Sequence, residues 1–325
     1  MDLDKNPLVS IVAVSYNHAE HIEDAIKSLL SQDYSPLEII ISDDNSTDNS
    51  YEIAEKLVAA YRSPHKIVLN KNLKNLGIGG NVSAALQLTA GDLLISADCD
   101  DISVPNRVSK LVSLWKSKSI KPYLITSDAW DTTLAGEDLQ IKKCSNLEDI
   151  HSLEDWIRNK PLFFGCTNMY TRDLINKFGL ISKECGATDQ IMVLRAILLG
   201  GALSFHEPLV HHRQGGVTGN KPMNVQAKIN KLIKDSSRTI ADIEQHIKDA
   251  EKFELGNFLR KFFKNRLAEA KLTPQALGEN SLANKIRAII AERDTPYLKK
   301  LRLFTYILLP LFHRVAYKIK RELNK

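Results

Sequence analysis

From Leu8 to about Ser127 short β-branched apolar runs alternate with longer amphipathic segments, and a chain patterned this way folds as successive βαβ units around a mainly parallel sheet. The runs VSIVAVS, LEIII, KIVLN, DLLISA and YLITS read as the strands. Between them, Ala19 to Ser31 places Ile22, Ala25, Ile26 and Leu29 on one face at helical spacing, and Asn49 to Tyr61 does the same with Ile53, Leu57 and Ala60. Both segments are expected to be helices covering the sheet. After Asp128 the pattern becomes irregular: a loop-rich stretch, a helix around Leu153 to Arg158, the run FFGCTNMYTRDLINKFG, and a helix from about Asp189 to Leu199. Beyond Asn220 the apolar positions recur in a heptad-like way without strand alternation, which sets a boundary near residue 220.

With 325 residues and 43% hydrophobic content the chain can bury a large core, so disorder is not expected. Cys99, Cys144, Cys166 and Cys185 lie far apart with no CxxC spacing, which argues against zinc clusters and a small disulfide scaffold and for reduced thiols. The start, MDLDKNPLVSIVAVS, carries acids where a secretory leader needs positive charge, so a cytoplasmic location is expected. Much of the net charge of +5 sits in KKLRLFTYILLPLFHRVAYKIKRELNK, Lys299 to Lys325, whose only acid is Glu322. Its apolar stretch is too short to span a bilayer and suits an anionic membrane surface. Docking of this helix on the rest of the chain or on another subunit is the alternative. The repeated apolar residues argue against a nucleic-acid track.

Open parallel sheets bind ligands beyond the carboxyl ends of their strands. The residues there are Tyr16-Asn17, Asp43-Asp44 and Asp98-Cys99-Asp100-Asp101. Three carboxylates in the turn ADCDD repel one another unless a cation compensates them, and hard oxygen ligands suit Mg²⁺ or Mn²⁺ beside phosphate oxygens. A solvated acidic turn capping the next helix is the plainer reading. SDDNSTDNS, Ser42 to Ser50, carries more polar residues than helix capping by Asp48 or Asn49 requires. GIGGNV, from Gly77, begins like a dinucleotide fingerprint, but Val82 replaces its third glycine and it follows the third strand. No GxxxxGK[ST] loop or HExxH motif occurs.

VSIVAVSYNHAEHIEDAIKSLLSQDY, LEIIISDDNSTDNS, NLGIGGNVSAAL and GDLLISADCDDISVPNRV follow in order. Together they resemble the large inverting GT-A glycosyltransferase family, often called glycosyltransferase family 2, that includes many bacterial polysaccharide and lipopolysaccharide enzymes. The likeness runs from about Pro7 to Gly219. It implies a GT-A fold, Rossmann-like with helices flanking a mainly parallel sheet. Residues 1–220 would be catalytic, with a nucleotide-binding half to about 128 and an acceptor-side half after it, and 221–325 a helical extension. It implies a UDP- or dTDP-sugar donor, with Tyr16 against the base, Asp43 accepting a hydrogen bond from a pyrimidine N3, and Ser15, Asn75, Gly77 and Asp98 completing the nucleotide-sugar site. Asp100 would hold Mn²⁺ or Mg²⁺. Asp189, at the start of GATDQIMVLRAILLG, would be the general base, kept ionised by the helix N-terminus; capping of that helix by Asp189 or Thr188 is the structural alternative.

One stretch departs from the family pattern. Many members carry a histidine shortly after an arginine in an R-x-H-G-like run, whereas here Gln214 and Gly215 follow Arg213 and the histidines, His211 and His212, precede it. His212 is the candidate to reach the metal, and a structural histidine is its alternative. The acceptor implied is a saccharide, lipid-linked if the basic tail meets the inner face of the cell membrane; the extension leaves a homo-oligomer open. A catalytically inactive nucleotide-sugar-binding or membrane-associated scaffold is the competing function. A nucleotidyltransferase would call for a glycine- and lysine-rich phosphate loop, which SYNHAEH does not supply.

Overall fold

The computed structural model describes residues 6–62, 64–214 and 224–308. The chain divides into two compact units, Met1–Asn220 and Lys221–Lys325. In the first, β1 (Val9–Ser15), α1 (Ile22–Leu30), β2 (Leu37–Asp43), α2 (Ser50–Ala60), β3 (Lys66–Lys71), α3 (Gly77–Gln87) and β4 (Leu93–Asp98) alternate as the periodicity predicts. β1 and β2 are buried along their whole length, as strands covered on both faces must be. α1 buries Ile22, Ala25, Ile26 and Leu29, and these side chains join Ile11, Ile39, Ile41, Leu93 and Ile95 in one core.

After β4 come β5 (Ile102–Ser103), α4 (Arg107–Ser117), β6 (Leu124–Thr132), β7 (Asp138–Lys142), α5 (Leu153–Asn159), β8 (Met169–Thr171), α6 (Arg172–Phe178), α7 (Thr188–Leu198) and β9 (Ala202–Arg213). The sheet order is β3-β2-β1-β4-β8-β6-β9-β5, with β7 added on β6. β1, β2, β3 and β4 pair in parallel, as do β6 and β9. β8 runs antiparallel between β4 and β6, so the sheet is mixed in its second half. The stretch after Asp128 reads as irregular in sequence because β9 carries His206, Glu207, His211 and His212, and its pairing with β6 shifts register beside Asp128. A bulged strand loses the period-2 signal that marks a strand.

The segment between β3 and α3 is fixed by one buried carboxylate. Asp44 accepts hydrogen bonds from Asn72 Nδ2 at 2.9 Å, from the Leu76 amide at 2.8 Å and from the Gly77 amide at 2.9 Å. The last two are otherwise unpaired N–H groups at the start of α3, where a negative charge is favoured. Gly77 has φ +77°, a conformation that costs glycine nothing. Gly79 then lets α3 approach the segment before α7, because a Cβ on it would lie 2.6 Å from the Ser182 carbonyl oxygen.

The second unit is helical, with α8 (Val225–Glu251), α9 (Gly256–Leu277), α10 (Leu282–Ala291) and a helix from residue 297 through residue 308. Its core is built from Ile229, Leu272, Ala276, Leu277, Ile289, Leu303 and Ile307. Asn224 and Ser281 cap α8 and α10 through their side-chain oxygens. Among the described residues no helix is long and apolar enough to cross a membrane. Residues 309–325 of the basic tail lie outside the described residues.

Asp44→Ala is expected to lower unfolding stability by about 2–3 kcal/mol, the scale for orphaning buried donors of a charged acceptor. Urea unfolding with an unchanged m value checks it.

Candidate active site

The carboxyl edge of β1, β2 and β4 gathers the acids that the sequence marks out. Parallel register sets Ser15 opposite Asp43 and Val14 opposite Asp98. Ser15 is buried and Tyr16 half-buried beside it. The Asp43 carboxylate accepts hydrogen bonds from the Ser46 amide at 2.8 Å and the Ser46 hydroxyl at 2.5 Å, and Asn17, at φ +57°, accepts one from the Thr47 amide. The SDDNSTDNS loop is therefore folded onto the β1 end. Asp48, one residue before the Asn49 N-cap of α2, accepts from the Ser50 amide and from the Ala19 amide. Asn75 and Gly77 stand one step away and turn toward Asp44: the Asn75 amide donates to the Asp44 carbonyl at 3.3 Å, and the Gly77 N–H is taken by the Asp44 carboxylate.

The acid turn is held by two arginines that sequence reasoning gave no role. Arg107, in the first turn of α4 and fully buried, donates to Ser103 Oγ and to the carbonyls of Ser96 and Cys166. Burial lowers its guanidinium to about 10, so it stays charged at neutral pH. Arg213, at the end of β9, gives its amide to Asp101 Oδ1 at 2.9 Å and its Nη1 to the Asp100 carbonyl at 2.7 Å, and its Nη2 lies 3.4 Å from Asp24 of α1. Its place in the R-x-H-G-like run was the sequence signal for Arg213. Arg107 had none beyond its place after Pro105.

These contacts fix the backbone and leave most of the negative charge uncompensated. Burial, then Asp101, Asp100 and Asp189, push the Asp98 carboxyl well above the usual carboxylate range. Burial and Asp100 push Asp101 up to about 6, against the opposing pull of His212 and the Arg213 amide. Asp101, Cys166 and His212 bring one ligand atom each within 4.8 Å of one another, so His212 stands with Asp101. Asp100 has His18 Nε2 3.8 Å from its Oδ2. The ring of His212 tilts against Phe164 with centroids 6.1 Å apart. Carboxylate oxygens and an imidazole nitrogen around a shortfall of positive charge suit a divalent cation such as Mn²⁺ or Mg²⁺.

Asp189 sits in the first turn of α7 with its Oδ1 accepting from the Gln190 amide at 2.8 Å. It faces Gly165, where a Cβ would come within 3.0 Å of Asp189 Cβ. Asp98 and Asp189 line one cavity of about 230 Å³ together with Val14, Val82, Tyr170 and Met192. The structure thus brings Asp98, Asp100, Asp101, Asp189 and His212 to one place, with the Ser15, Tyr16 and Asp43 edge next to it on the sheet.

A Rossmann-like sheet with an acid turn after β4 and a carboxylate at a later helix start is the arrangement that the resemblance to GT-A glycosyltransferases implies. The sequence profile of glycosyl transferase family 2 matches residues 10–177, and the chain belongs to that family. An uncharacterized glycosyltransferase of Nostoc sp. is 26% identical over 247 residues, 74% of each chain. A UDP-Glc:alpha-D-GlcNAc-diphosphoundecaprenol beta-1,3-glucosyltransferase of Escherichia coli, WfaP, is 32% identical over 35% of this chain and 43% of its own length. Among solved structures, S. aureus TarS 1-349 in complex with UDP-GlcNAc superposes with TM-score 0.53 at 16% identity, covering 92% of this chain and 86% of that one. A mannosyltransferase from Pyrobaculum calidifontis in complex with GDP-Man and Mn²⁺ gives the same TM-score and identity over 95% and 82%.

Asp101 ionises more readily unfolded than folded, so between about pH 4 and 6 the folded state holds the extra proton and stability falls as pH rises. In metal-free protein Asp101→Asn is expected to raise stability above pH 7 by up to about 3 kcal/mol and to flatten that slope. Thermal unfolding against pH, with and without Mn²⁺, reads both; saturating Mn²⁺ is expected to stabilise the wild type more than the variant.

Proposed function

We propose that the chain moves one sugar from a UDP- or dTDP-sugar to a hydroxyl of a saccharide acceptor, with inversion and with a divalent metal. The observation that carries this reading is that Asp98 and Asp189 line the same cavity at the edge of the acid turn. One is the donor-side acid and the other the carboxylate at a helix start.

In this reading the base stacks near Tyr16 and meets Asp43, whose carboxylate oxygens retain acceptor capacity beyond their bonds to Ser46. Ser15, Asn75 and Gly77 border the nucleotide, and Asp98 meets the ribose or the sugar. Asp100 and His212, with Asp101, would hold Mn²⁺ or Mg²⁺, which when bound supplies positive charge at the diphosphate oxygens as the leaving group departs. Asp189 takes the proton of the acceptor hydroxyl as that oxygen bonds to the anomeric carbon. The bond from that carbon to the diphosphate oxygen breaks on the opposite face, and its electron pair leaves with the nucleoside diphosphate. Attack from that side inverts the configuration.

The names of WfaP and of a Campylobacter jejuni beta-1,3-glucosyltransferase give undecaprenol-linked acceptors to those proteins. They support a lipid-linked saccharide acceptor here, in bacterial surface polysaccharide synthesis at the cytoplasmic face of the membrane. The helix of residues 297–308 supports surface attachment: Tyr297, Leu298 and Leu301 are 76%, 75% and 47% exposed next to the exposed Lys299 and Arg302.

Incubation with UDP- and dTDP-sugars and lipid-linked or free saccharides is expected to release nucleoside diphosphate and give a product of inverted anomeric configuration by NMR. Asp189→Asn should lower kcat by about 10²- to 10⁴-fold while Mn²⁺-dependent UDP binding in calorimetry persists, and Asp100→Asn should weaken that binding. Metal-independent binding, or a retained configuration, would overturn the corresponding part of the reading. Sedimentation with vesicles tests the attachment: binding to phosphatidylserine vesicles, absent with phosphatidylcholine alone and lost in Leu298→Glu/Leu301→Glu, is expected.

A further inference from the structure

On β6, away from the acid turn, Asp128 is buried with Cys144 and His206 around it. Asp128 Oδ1 accepts hydrogen bonds from the Cys144 amide at 2.8 Å and the Cys144 thiol at 3.2 Å, and lies 3.3 Å from His206 Nδ1. One ligand atom from each of the three falls within 4.8 Å of the other two. His206 reaches Asp128 because the β6–β9 register shifts there, with Phe205 paired to Ser127 and Pro208 to Asp128, and a bulge re-aims the residues it carries. Cys144 is brought in by the segment after β7, which Ser204 pins through the Ser145 carbonyl and the Leu147 amide.

His206 Nε2 lies 2.7 Å from the Asn146 amide oxygen, an atom that only accepts; with the hydrogen on Nε2, Nδ1 turns a lone pair toward the Asp128 carboxylate. Two acceptors face one another unless positive charge stands between them. A proton on Nδ1 would answer that and leave the Cys144 thiol as a weak donor to Asp128. A metal ion uses all three atoms. Tetrahedral zinc bonded to sulfur, nitrogen and oxygen separates its ligand atoms by about 3.4–3.6 Å, close to the spacings from Oδ1 to the other two. The Asn146 acceptor behind His206 is the outer-shell partner that metal-bound histidines keep.

We propose that Asp128, Cys144 and His206 Nδ1 bind a zinc-like divalent ion at a site that shares no residue with the acid turn. The fourth position opens to solvent past His206, whose side chain is 43% exposed. Burial and Asp128 push the Cys144 thiol up to about 12, so the thiolate forms only as the ion enters. Each ion bound releases the thiol proton to solvent, with no change of oxidation state. The acid turn also has a cysteine, Cys166, beside Asp101 and His212, but there Asp98 and Asp100 add further oxygens; here Asp128 brings the carboxylate oxygens alone, and the thiolate favours zinc over Mg²⁺ or Mn²⁺. It binds the segment after β7 to β6 and β9. The cysteine spacing hides it, since the ligands come from three separate segments.

The test is titration of the full chain, stripped with chelator, with Co²⁺. A thiolate-to-cobalt charge-transfer band with tetrahedral visible bands is expected, displaced by Zn²⁺ and untouched by Mg²⁺. Cys144→Ser should abolish the charge-transfer band and Cys166→Ser should leave it. Asn146→Ala, at an exposed position, should weaken Co²⁺ binding by about 10- to 100-fold and serves if Cys144→Ser does not fold. Absence of a thiolate band, its survival in Cys144→Ser, its loss in Cys166→Ser, or unchanged affinity in Asn146→Ala would overturn the proposal.

Discussion

The repulsion among Asp98, Asp100, Asp101 and Asp189 is the constraint around which the first unit is arranged. Carboxylates brought together out of water drive one another apart, and a short turn after a strand has no means of resisting that by itself. Arg213 and Arg107 resist it by holding backbone: they donate to the carbonyls of Asp100, Ser96 and Cys166, and the Arg213 amide holds Asp101. Had the guanidinium groups paired with the carboxylates, the turn would be stable and electrically quiet. Spent on carbonyls, they fix the geometry and leave the charge to be met by a ligand.

The cavity beside the turn is shaped by what is absent from two glycines. Gly79 lets α3 lie against the Ser182–Cys185 segment, and Gly165 leaves room for Asp189. The wall near Asp189 is thereby tied to α3, which Asp44 anchors at its start. The ends of β1 and β2 and the wall around Asp189 are thus positioned by the same chain of contacts.

Much of this was legible in sequence where the signal is local. β1, β2 and β4 read as apolar runs because they are mostly buried in the sheet, and α1 shows its buried face at helical spacing. β5 and β8 are two and three residues long, too short for any periodicity, and β9 is disguised by its histidines and its shifted register. Adjacent acids were beyond sequence reasoning. Asp43 and Asp44 differ by one position, yet one turns to Ser46 and the other to α3. His212 likewise meets Asp101, and His18 comes nearest Asp100, a pairing set by how β9 returns to the turn. Arg213 could not be given its task because its partners lie more than a hundred residues earlier in the chain.

That separation has a consequence for how the protein is made. β1 to β4 find their partners within the first part of the chain, so a nascent chain can build that sheet early. The clasp on the acid turn comes from the last residue of β9, 112 positions after Asp101. Until the ribosome has delivered that strand, the turn has its acids but not its clasp. Completion of the acid turn is therefore one of the last events in the synthesis of this unit, and a chain truncated before Arg213 would carry the turn without its clasp.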